Sequence, residues 1–330
     1  KNLILSKILI TGGAGFIGSH TADYFINKGF DVNVIDNLSE SVHLKNKKPN
    51  YLNKKVKYFF GDLRDKNIIQ KAIKDVSYVI NDYSLVGTGI SMYDFNNFFY
   101  NNIVGTTNLW DVIIKNKIKI KRFIQASSVS IYGEGKYVCK EHGIYYPNSR
   151  IIKRNKKNWQ ICCPRCNQIM TPKPTDEKSP KNSNSIYSLT KQHQEEISLM
   201  IGGNYGIETI ICRYFNCYGS RLSFNNPYTG VTSIFLNSIL QNKKPIIFED
   251  GNQIRDYIHI SDLVRSKYLL LTKSKLNHSI YNIASGKPTS LLKIVKILNK
   301  INNSSIEPII TNEFRKGDIR NCYANIKRIK

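Results

Sequence analysis

A glycine-rich turn near the N-terminus has the spacing that binds the pyrophosphate of a dinucleotide. The segment Thr11-Gly-Gly-Ala-Gly-Phe-Ile-Gly18 follows a β-branched run and opens a helical pattern. In this arrangement Gly12 permits the tight turn, Gly15 lets the backbone approach the phosphates, and Gly18 lets the helix pack closely against the strand. The phosphates would then lie at the positive N-terminus of that helix. The alternative is a glycine-rich turn that binds no ligand.

The acidic residue that such a site requires is Asp36, which ends the next β-branched run. A carboxylate at this position can bind both hydroxyls of the adenosine ribose, and it repels the 2′-phosphate of NADP. The sequence therefore predicts that the cofactor is NAD. Strand, helix and acid stand in register, which argues against a turn without a ligand.

Two short cysteine and histidine pairs form a candidate metal site. They are Cys139-x-x-His142 and Cys163-x-x-Cys166. A gap of two residues lets both side chains of a turn face one ion, and four such ligands suit a tetrahedral structural zinc. The segment between the pairs is too basic and polar to form a core of its own, so a metal would supply the missing stability. The alternative is four unrelated residues in a flexible loop, with Cys162 as a competing thiol.

Further motifs along the chain establish a family resemblance. They are Gly61-Asp62-Leu63-Arg64, Asn102-Ile-Val-Gly105-Thr106, Ser127-Ser128-Val-Ser-Ile-Tyr132-Gly133, Tyr187-Ser-Leu-Thr-Lys191, Arg213-Tyr-Phe-Asn216-Cys-Tyr218-Gly219-Ser-Arg221 and Arg255-Asp256-Tyr-Ile-His. With these motifs the sequence resembles, over essentially its whole length, the extended short-chain dehydrogenases/reductases of the NAD-dependent epimerase/dehydratase family. The resemblance implies that Asp62 contacts the adenine amine and that the cofactor also contacts Phe16, Ile17, Asn37 and Leu63.

The resemblance places the catalytic chemistry on a tyrosine and a lysine, Tyr187 and Lys191. Removing hydride from a carbinol carbon also requires removing the hydroxyl proton, and tyrosine is a poor base at its ordinary pKa of about 10. Lys191 lies on the same helix face one turn further on. Its charge, with that of the nicotinamide, should bring the pKa of Tyr187 nearer to the working pH. Lys191 would also bind the nicotinamide ribose, and Ser128 would bridge Tyr187 and the sugar oxygen. The alternative is an ordinary exposed pair on a helix.

The residues after Ser128 favour an epimerase among the members of this family. Dehydratases of the family have two acidic residues where this chain has Val129 and Ser130, and water elimination needs such a proton shuttle. Decarboxylases keep a glutamate nearby, which this sequence lacks. Oxidation and re-reduction at carbon 4 of a sugar need neither group.

Segments 86–93, 226–231 and 248–251, together with the cysteine-containing insertion, most resemble dTDP-L-rhamnose 4-epimerases. A dTDP-linked sugar is therefore the favoured substrate. A UDP-hexose 4-epimerase and another nucleotide-sugar reductase or dehydratase remain as alternatives. From a different class comes a non-catalytic scaffold that binds NAD or nucleic acid. The resemblance also implies a homodimer, joined by the helices that carry Asn102 and Tyr187.

The substrate-side residues are likewise implied by the resemblance. Asn216 and Arg255 are assigned to the diphosphate, and Arg320 is expected to act as a second phosphate clamp, because a guanidinium matches phosphate oxygens through its planar fork. One segment departs from the family pattern. Where relatives have His-Leu-Ala-Ala after the fourth strand, this chain has Asn81-Asp82-Tyr83-Ser84. A larger, more polar surface there would weaken or move NAD, and Asp82 would repel phosphate if it faced inward.

The elements that must position these residues alternate between β-branched runs and amphipathic helical patterns. Strands are predicted at 8–11, 31–35, 57–60, 78–80, 122–126 and 209–214, and helices at 18–27, 68–74, 102–115 and 187–200. This alternation predicts an α/β fold with a Rossmann-type, doubly wound parallel sheet. We expect a NAD-binding domain over residues 1–215 with an insertion at 134–178. A smaller, mainly substrate-binding domain is expected over 216–330, of which about 255–272 returns to the first domain.

The chain of 330 residues is strongly basic, with a formal net charge of +25. The lysines are scattered along the whole length, so nucleic acid is not the expected partner, although the positive field would favour an anionic nucleotide sugar. No apolar run approaches the ~20 residues that span a bilayer, and the first residues do not resemble a signal peptide. No membrane association and a cytoplasmic location are therefore expected.

Overall fold

The main sheet of the protein has seven strands, and it is covered by helices on both faces. The computed structural model describes residues 6–43, 47–148, 159–222, 230–273, 276, 278–314 and 317–330. The strands of this part of the chain are β1 (Lys7–Thr11), β2 (Asp31–Asp36), β3 (Lys57–Phe60), β4 (Tyr78–Asn81), β5 (Arg122–Ser128), β6 (Lys136–Cys139), β7 (Gly143–Tyr145), β8 (Thr171–Lys173), β9 (Glu208–Tyr214), β10 (Asn216–Tyr218), β11 (Ile246–Ile247), β12 (Ile254–His259), β13 (Ser279–Ile283), β14 (Pro288–Ser290) and β15 (Ile309–Ile310). The α-helices are α1 (Phe16–Asn27), α2 (Lys66–Ala72), α3 (Thr88–Ser91), α4 (Phe95–Phe99), α5 (Gly105–Lys115), α6 (Ile186–Asn204), α7 (Val231–Leu240), α8 (Ile260–Thr272) and α9 (Leu291–Ile301). A π-helical turn, Tyr100–Val104, joins α4 to α5, and a 3-10 turn, Val129–Tyr132, follows β5.

The strand order of the main sheet is β13-β9-β5-β4-β1-β2-β3, and every neighbouring pair is parallel. The predicted Rossmann-type α/β fold is therefore confirmed. The order reverses at β1, which lies between β2 and β4, and in such sheets a crevice opens at the carboxyl ends of the strands. At this point the hydroxyl of Thr11 donates to the side-chain carbonyl of Asn81 at 2.6 Å, so the ends of β1 and β4 are joined.

The two faces of the sheet have separate apolar cores, because side chains alternate along each strand. On β1, Ile8 and Ile10 belong to the core that contains residues of α1 and α8, whereas Leu9 belongs to the core of α2 and α5. Trp110 of α5 stacks on Phe123 of β5, with 4.2 Å between the ring centroids. This packing fixes α5 and its neighbour α6 against the strands whose ends form the crevice.

The second half of the chain builds smaller sheets and then returns to the main one. Strands β10, β12 and β14 form one small sheet, and β11 pairs with β15. Helix α8 packs against α1, and β13 pairs with β9 at the edge of the main sheet. The returning segment therefore extends past residue 272, to the end of β13.

The insertion at 134–178 forms a three-stranded antiparallel sheet in the order β7-β6-β8. Gly143 allows the reversal between β6 and β7, because its φ of +75° is one that other residues rarely adopt. A small apolar core lies beneath this sheet and contains Tyr137, Ile161 and Met170 together with cysteine side chains.

Candidate active site and metal centre

The predicted phosphate-binding turn joins β1 to α1. Gly12 has a φ of +70°, and Gly15 immediately precedes the first residue of α1. A Cβ atom on Gly18 would lie 2.2 Å from the carbonyl oxygen of Gly12, so only glycine lets the helix cross the turn this closely. A Cβ on Gly15 would meet its nearest atom at 3.5 Å, which leaves the backbone there open to a ligand. Phe16 and Ile17 occupy the first turn of α1, where backbone N–H groups are free to bind phosphate.

Asp36 ends β2 beside this turn, as the sequence predicts. Its two carboxylate oxygens accept hydrogen bonds from the backbone N–H of Ala14 at 2.9 Å and of Leu38 at 2.8 Å. The ring of His43 lies 3.8 Å from the carboxylate. Burial lowers the pKa of His43, and the negative charge of Asp36 opposes that shift. The carboxylate is therefore held in a fixed position at the crevice.

A polar cluster lies next to Asp36 at the end of β3. The amide of Asn37 donates to Asp62 at 2.9 Å, and the guanidinium of Arg64 donates to both oxygens of Asp62 at 2.9 Å. Burial opposes ionisation of Asp62, but the hydrogen bonds from Arg64 and Asn37 outweigh it and hold the pKa of the carboxyl below its ordinary value. The Leu63 side chain is fully buried, so only its backbone could face a cofactor.

The predicted catalytic residues lie together where β5 and α6 meet. Ser128 is the last residue of β5, and Ser185 caps α6 so that Tyr187 falls in its first turn. Helix α6 packs against β5, which brings Tyr187 to the end of the strand where Ser128 lies. Burial raises the pKa of Tyr187, and its interaction with the Ser128 hydroxyl acts in the opposite direction. Lys191 was expected to lower the pKa of Tyr187, but it is not among the groups that shift this pKa in the protein without cofactor.

Lys191 follows one turn after Tyr187 and is almost fully buried, with 2% of its surface exposed. Burial lowers the pKa of Lys191 to about 8, whereas the negative charges of Asp82 and Glu195 act in the opposite direction. Glu195 forms a buried ion pair with Arg213 at 2.8 Å, so part of its charge is already neutralised. Burial therefore destabilises the charged form of Lys191, and the nearby carboxylates of Asp82 and Glu195 stabilise it.

Two contacts around these residues could not be read from the sequence. The hydroxyl of Ser130 donates to the oxygen of Ser128 at 2.9 Å, which orients the Ser128 side chain. The amide of Asn102 donates to Thr190 at 2.9 Å, and its carbonyl accepts from the backbone N–H of Leu85 at 2.7 Å. Asn102 therefore joins the loop after β4 to the helix that carries Tyr187. The motif that begins at Asn102 singles this residue out in the sequence, but it does not indicate which groups the side chain contacts.

The predicted substrate-side residues fall in different surroundings. Asn216 starts β10 and donates to the backbone carbonyl of Asp256 at 3.2 Å. Arg255 is half-buried on β12 and donates to the carbonyls of Ile319 and Arg320. Arg320 itself is a correction. Its guanidinium is 1% exposed and is neutralised by Glu249 at 2.8 Å and by Asp250 at 2.6 Å. These carboxylates occupy the fork that was predicted to clamp phosphate.

The four predicted metal ligands lie together in the insertion. Their ligand atoms are all within 4.8 Å of one another. The sulfur of Cys139 is 3.6 Å from that of Cys166 and 3.7 Å from Nδ1 of His142, which in turn is 3.5 Å from the sulfur of Cys163. A tetrahedral zinc with Zn–S near 2.3 Å and Zn–N near 2.0 Å implies edges of about 3.5–3.8 Å. The cysteines are free thiols, so the donor set fits a zinc ion.

Cys162 lies outside this cluster. Its thiol donates to the carbonyl of Gln160 at 3.9 Å, and it is not among the four grouped donors. The other cysteines lie in or next to strands: Cys212 and Cys322 are buried, as expected of residues that fill a core, and Cys217 is half-buried.

The fold and the site together define a Rossmann-fold enzyme of the short-chain dehydrogenase/reductase type. The profile described as the NAD dependent epimerase/dehydratase family matches residues 8–150 and 164–284. The chain belongs to this family.

Individual relatives match along nearly the whole chain. The dTDP-L-rhamnose 4-epimerase of Burkholderia thailandensis is 29% identical over 97% of this chain and 87% of its own length. A protein of Methanocaldococcus jannaschii, provisionally named a UDP-glucose 4-epimerase, is 32% identical over 97% of this chain and 90% of its own length. Among solved structures, the UDP-glucuronic acid 4-epimerase of Bacillus cereus in complex with UDP-glucuronic acid and NAD is 25% identical. It superimposes with a TM-score of 0.79 and covers 98% of this chain and 91% of that one.

Proposed function

We propose that the protein catalyses the NAD-dependent 4-epimerisation of a nucleotide sugar. The observation that carries the proposal is the placement of Tyr187, in the first turn of α6, against the end of β5 where Ser128 lies, with Lys191 buried one turn further along α6. A base, an orienting hydroxyl and a cation are thereby brought together at the carboxyl ends of the strands, where ligands bind in this fold.

The residues of the phosphate-binding turn fit NAD. Gly12, Gly15 and the start of α1 would hold the pyrophosphate, Asp36 the adenosine ribose, and Asn37, Asp62 and the backbone of Leu63 the adenine end. The cofactor, when bound, would accept hydride from carbon 4 and return it. A solved relative of similar fold that contains NAD supports this choice, and Asp36 disfavours the extra phosphate of NADP.

The protein groups would handle the proton that accompanies this hydride. Tyr187 would take the proton of the 4-hydroxyl and later return it to the oxygen at carbon 4, while hydride is added to the opposite face of that carbon. Ser128, oriented by Ser130, would hold the sugar oxygen. Lys191 would bind the nicotinamide ribose and stabilise the phenolate of Tyr187 by its charge. The sugar must turn over between the two half-reactions, so the anchoring contacts must lie on the diphosphate.

The substrate that we propose first is dTDP-L-rhamnose, and a UDP-hexose is the second candidate. The resemblance of segment 86–93 and of the insertion to dTDP-L-rhamnose 4-epimerases supports the first candidate. Of the two relatives described above, the one from Burkholderia thailandensis supports dTDP-L-rhamnose and the one from Methanocaldococcus jannaschii supports a UDP-hexose. Segment 226–231 lies largely outside the described residues. Asn216 and Arg255 would bind the diphosphate, and the net charge of +25 favours an anionic ligand. Nucleic acid is not part of this proposal.

We further propose that the insertion holds a structural zinc through Cys139, His142, Cys163 and Cys166, because three of the distances between their ligand atoms match the edges of a tetrahedral site and all lie within 4.8 Å. All four coordination positions would be filled by protein, so the ion would stabilise the insertion without taking part in the reaction.

A homodimer joined through α5 and α6 is also proposed, and the exposed Tyr100 and Met200 on or near these helices are consistent with it. Within the described residues no helix is long and apolar enough to cross a bilayer. We propose a cytoplasmic location.

The experiment is to incubate the purified protein separately with dTDP-L-rhamnose, UDP-glucose and UDP-galactose in D₂O and to resolve the products by NMR. We expect dTDP-L-rhamnose, or else both UDP-glucose and UDP-galactose, which are 4-epimers of each other, to be converted with no deuterium at carbon 4, because hydride would return from the cofactor. Deuterium at carbon 4 would contradict the hydride mechanism. Failure to convert any of the three, in protein that contains NAD, would refute the assignment of dTDP-L-rhamnose and of UDP-glucose or UDP-galactose as substrates.

A further inference from the structure

The orientation of Arg255 is set by a main-chain segment near the C-terminus. The guanidinium donates to the carbonyl of Ile319 at 2.7 Å, to that of Arg320 at 3.0 Å and to that of the preceding residue, Ile254, at 2.9 Å. Two of these three bonds are to the backbone of segment 319–325. The position of this segment therefore helps to set where the Arg255 guanidinium points.

The same segment is attached to the insertion through Tyr137 of β6. The amide of Asn321 donates to the Tyr137 hydroxyl at 3.0 Å, and its carbonyl accepts from the backbone N–H of Ile254, the residue before Arg255, at 2.9 Å. Tyr137 and Asn321 are buried, with 1% and 5% of their surfaces exposed. A buried hydrogen-bonded chain thus runs from β6 to β12.

The two ends of the insertion make further bonds to this segment. Thr175 donates its backbone N–H to the carbonyl of Tyr323 at 2.8 Å and accepts from the N–H of Asn325 at 2.8 Å. The carboxylate of Glu134 accepts from the backbone N–H of Arg320 at 2.6 Å. The insertion is therefore hydrogen-bonded at both ends to the segment that contacts Arg255.

Three of the four proposed metal ligands, the cysteines, pack in the same small core as Tyr137, whereas His142 is exposed. Cys139 lies two residues after Tyr137 on β6, and Cys163 and Met170 complete the cluster. A core of this size cannot fix its strands by apolar contacts alone, so a metal that joins the two ligand pairs would fix them.

We propose that Tyr137 and Asn321 are positioning residues that connect the metal-binding insertion to Arg255, so that metal occupancy sets the affinity of the site for the diphosphate of its substrate. This inference rests on the proposed zinc site and on the proposed role of Arg255. Arg255 would contact a part of the substrate that does not react. Loss of its position should therefore raise KM and leave kcat nearly unchanged.

The first test is Tyr137→Phe, which removes one hydroxyl and leaves all four metal ligands in place. We expect unchanged zinc and NAD contents, a rise of about fivefold in the Kd for UDP and dTDP, and the same rise in KM, as for the loss of one buried hydrogen bond. The matched control is Tyr145→Phe on β7, where the side chain is 40% exposed. Equal nucleotide affinity for Tyr137→Phe and wild type would overturn the proposal.

The second test removes the metal by Cys166→Ser. We expect weaker binding of UDP and dTDP and faster hydrogen exchange in segment 319–325. In the double variant with Tyr137→Phe, the losses should not add, because the two changes act along one path. Loss of zinc with unchanged nucleotide affinity would overturn the proposal. Wild-type protein that neither contains nor takes up zinc would also overturn it, while leaving the epimerase proposal standing. Nucleotide binding is measured without turnover, so failure of the substrate assignment does not obscure these results.

Discussion

Asp82, directly after β4, and Lys267 of α8 form an ion pair that is buried on both sides, with 5% and 0% of their side chains exposed. Lys267 also donates to the hydroxyl of Thr21 in α1 at 3.0 Å, and Tyr214 donates its hydroxyl to Asp82 at 3.0 Å. The carboxylate that was expected to repel the cofactor phosphates is thus already neutralised. The departure from the family pattern at 81–84 is compensated from a helix nearly two hundred residues further along the chain.

The first prediction concerns the stability of this pair. Asp82→Asn should lower the free energy of unfolding by about 3–5 kcal/mol, because it leaves the buried ammonium of Lys267 without a counter-charge. The double variant Asp82→Leu/Lys267→Met removes both charges and should recover most of that loss. Urea unfolding of the three proteins measures the effect. If the double variant is less stable than the single one, the charges are not the cause.

The second prediction concerns Tyr187. Tyr187→Phe removes the group that would exchange the substrate proton and keeps the ring that packs edge-on against Phe98 at 6.3 Å. We expect kcat to fall by about 10²–10⁴-fold, with NAD content and thermal stability unchanged. Tyr205→Phe, at the exposed end of the same helix, is the control and should keep full activity. Undiminished turnover in Tyr187→Phe would remove tyrosine from the mechanism.

The third prediction is a pH dependence of stability due to Lys191. Its pKa in the folded protein is about 8, below the value of about 10.4 for an unfolded chain. Between these values the unfolded state binds more protons, so the contribution of Lys191 to stability rises with pH from about 8 to about 10.4. Relative to Lys191→Met, the wild type should gain up to about 3 kcal/mol across this window. Urea unfolding at several pH values measures this, and parallel curves for the two proteins would contradict it.

The fourth prediction concerns the choice of cofactor. Asp36→Asn removes the negative charge and keeps one acceptor oxygen, so only one of the backbone N–H groups of Ala14 and Leu38 retains its partner. We expect NAD to bind about tenfold more weakly, since hydrogen bonds to a charged group contribute about 1.5–3 kcal/mol, and we expect the discrimination against NADP to shrink. Asp31→Ala, at the exposed start of the same strand, is the control. Fluorescence titration measures the affinity of Asp36→Asn for NAD and for NADP. Affinities equal to those of the wild type would contradict the prediction.

The sequence was sufficient for features that depend on local periodicity and fixed spacing. The strand predicted at 57–60 coincides with β3, and the helix predicted at 187–200 lies within α6 (Ile186–Asn204). Both are set by neighbouring residues in the chain. The glycine turn and Asp36 follow for the same reason, because one strand, one turn and one helix fix their geometry. The two ligand pairs of the insertion were also brought together as predicted.

Features that depend on distant partners could not be predicted in this way. The burial of Arg320 depends on Glu249 and Asp250, which no spacing rule connects to it. The compensation of Asp82 by Lys267 and the bond between Asn102 and Thr190 are of the same kind. The segment between the ligand pairs was expected to form no core of its own, yet Ile161 packs with Tyr137 and Met170 in a small core, and β6 pairs with both β7 and β8.

The fifth prediction concerns metal content, and two cysteines only four residues apart allow a sharp comparison. Wild-type protein should contain about one zinc per chain, and Cys166→Ser should contain almost none because a tetrahedral site would lose one of its four ligands. Cys162→Ser changes the same kind of side chain outside the cluster and should keep the full metal content. Chelation should lower the melting temperature of the wild type and of Cys162→Ser but not that of Cys166→Ser. Elemental analysis measures the zinc content of all three proteins. Equal zinc contents in Cys166→Ser and Cys162→Ser would show that the ion is held elsewhere. Wild-type protein without zinc would show that the four side chains converge without a metal.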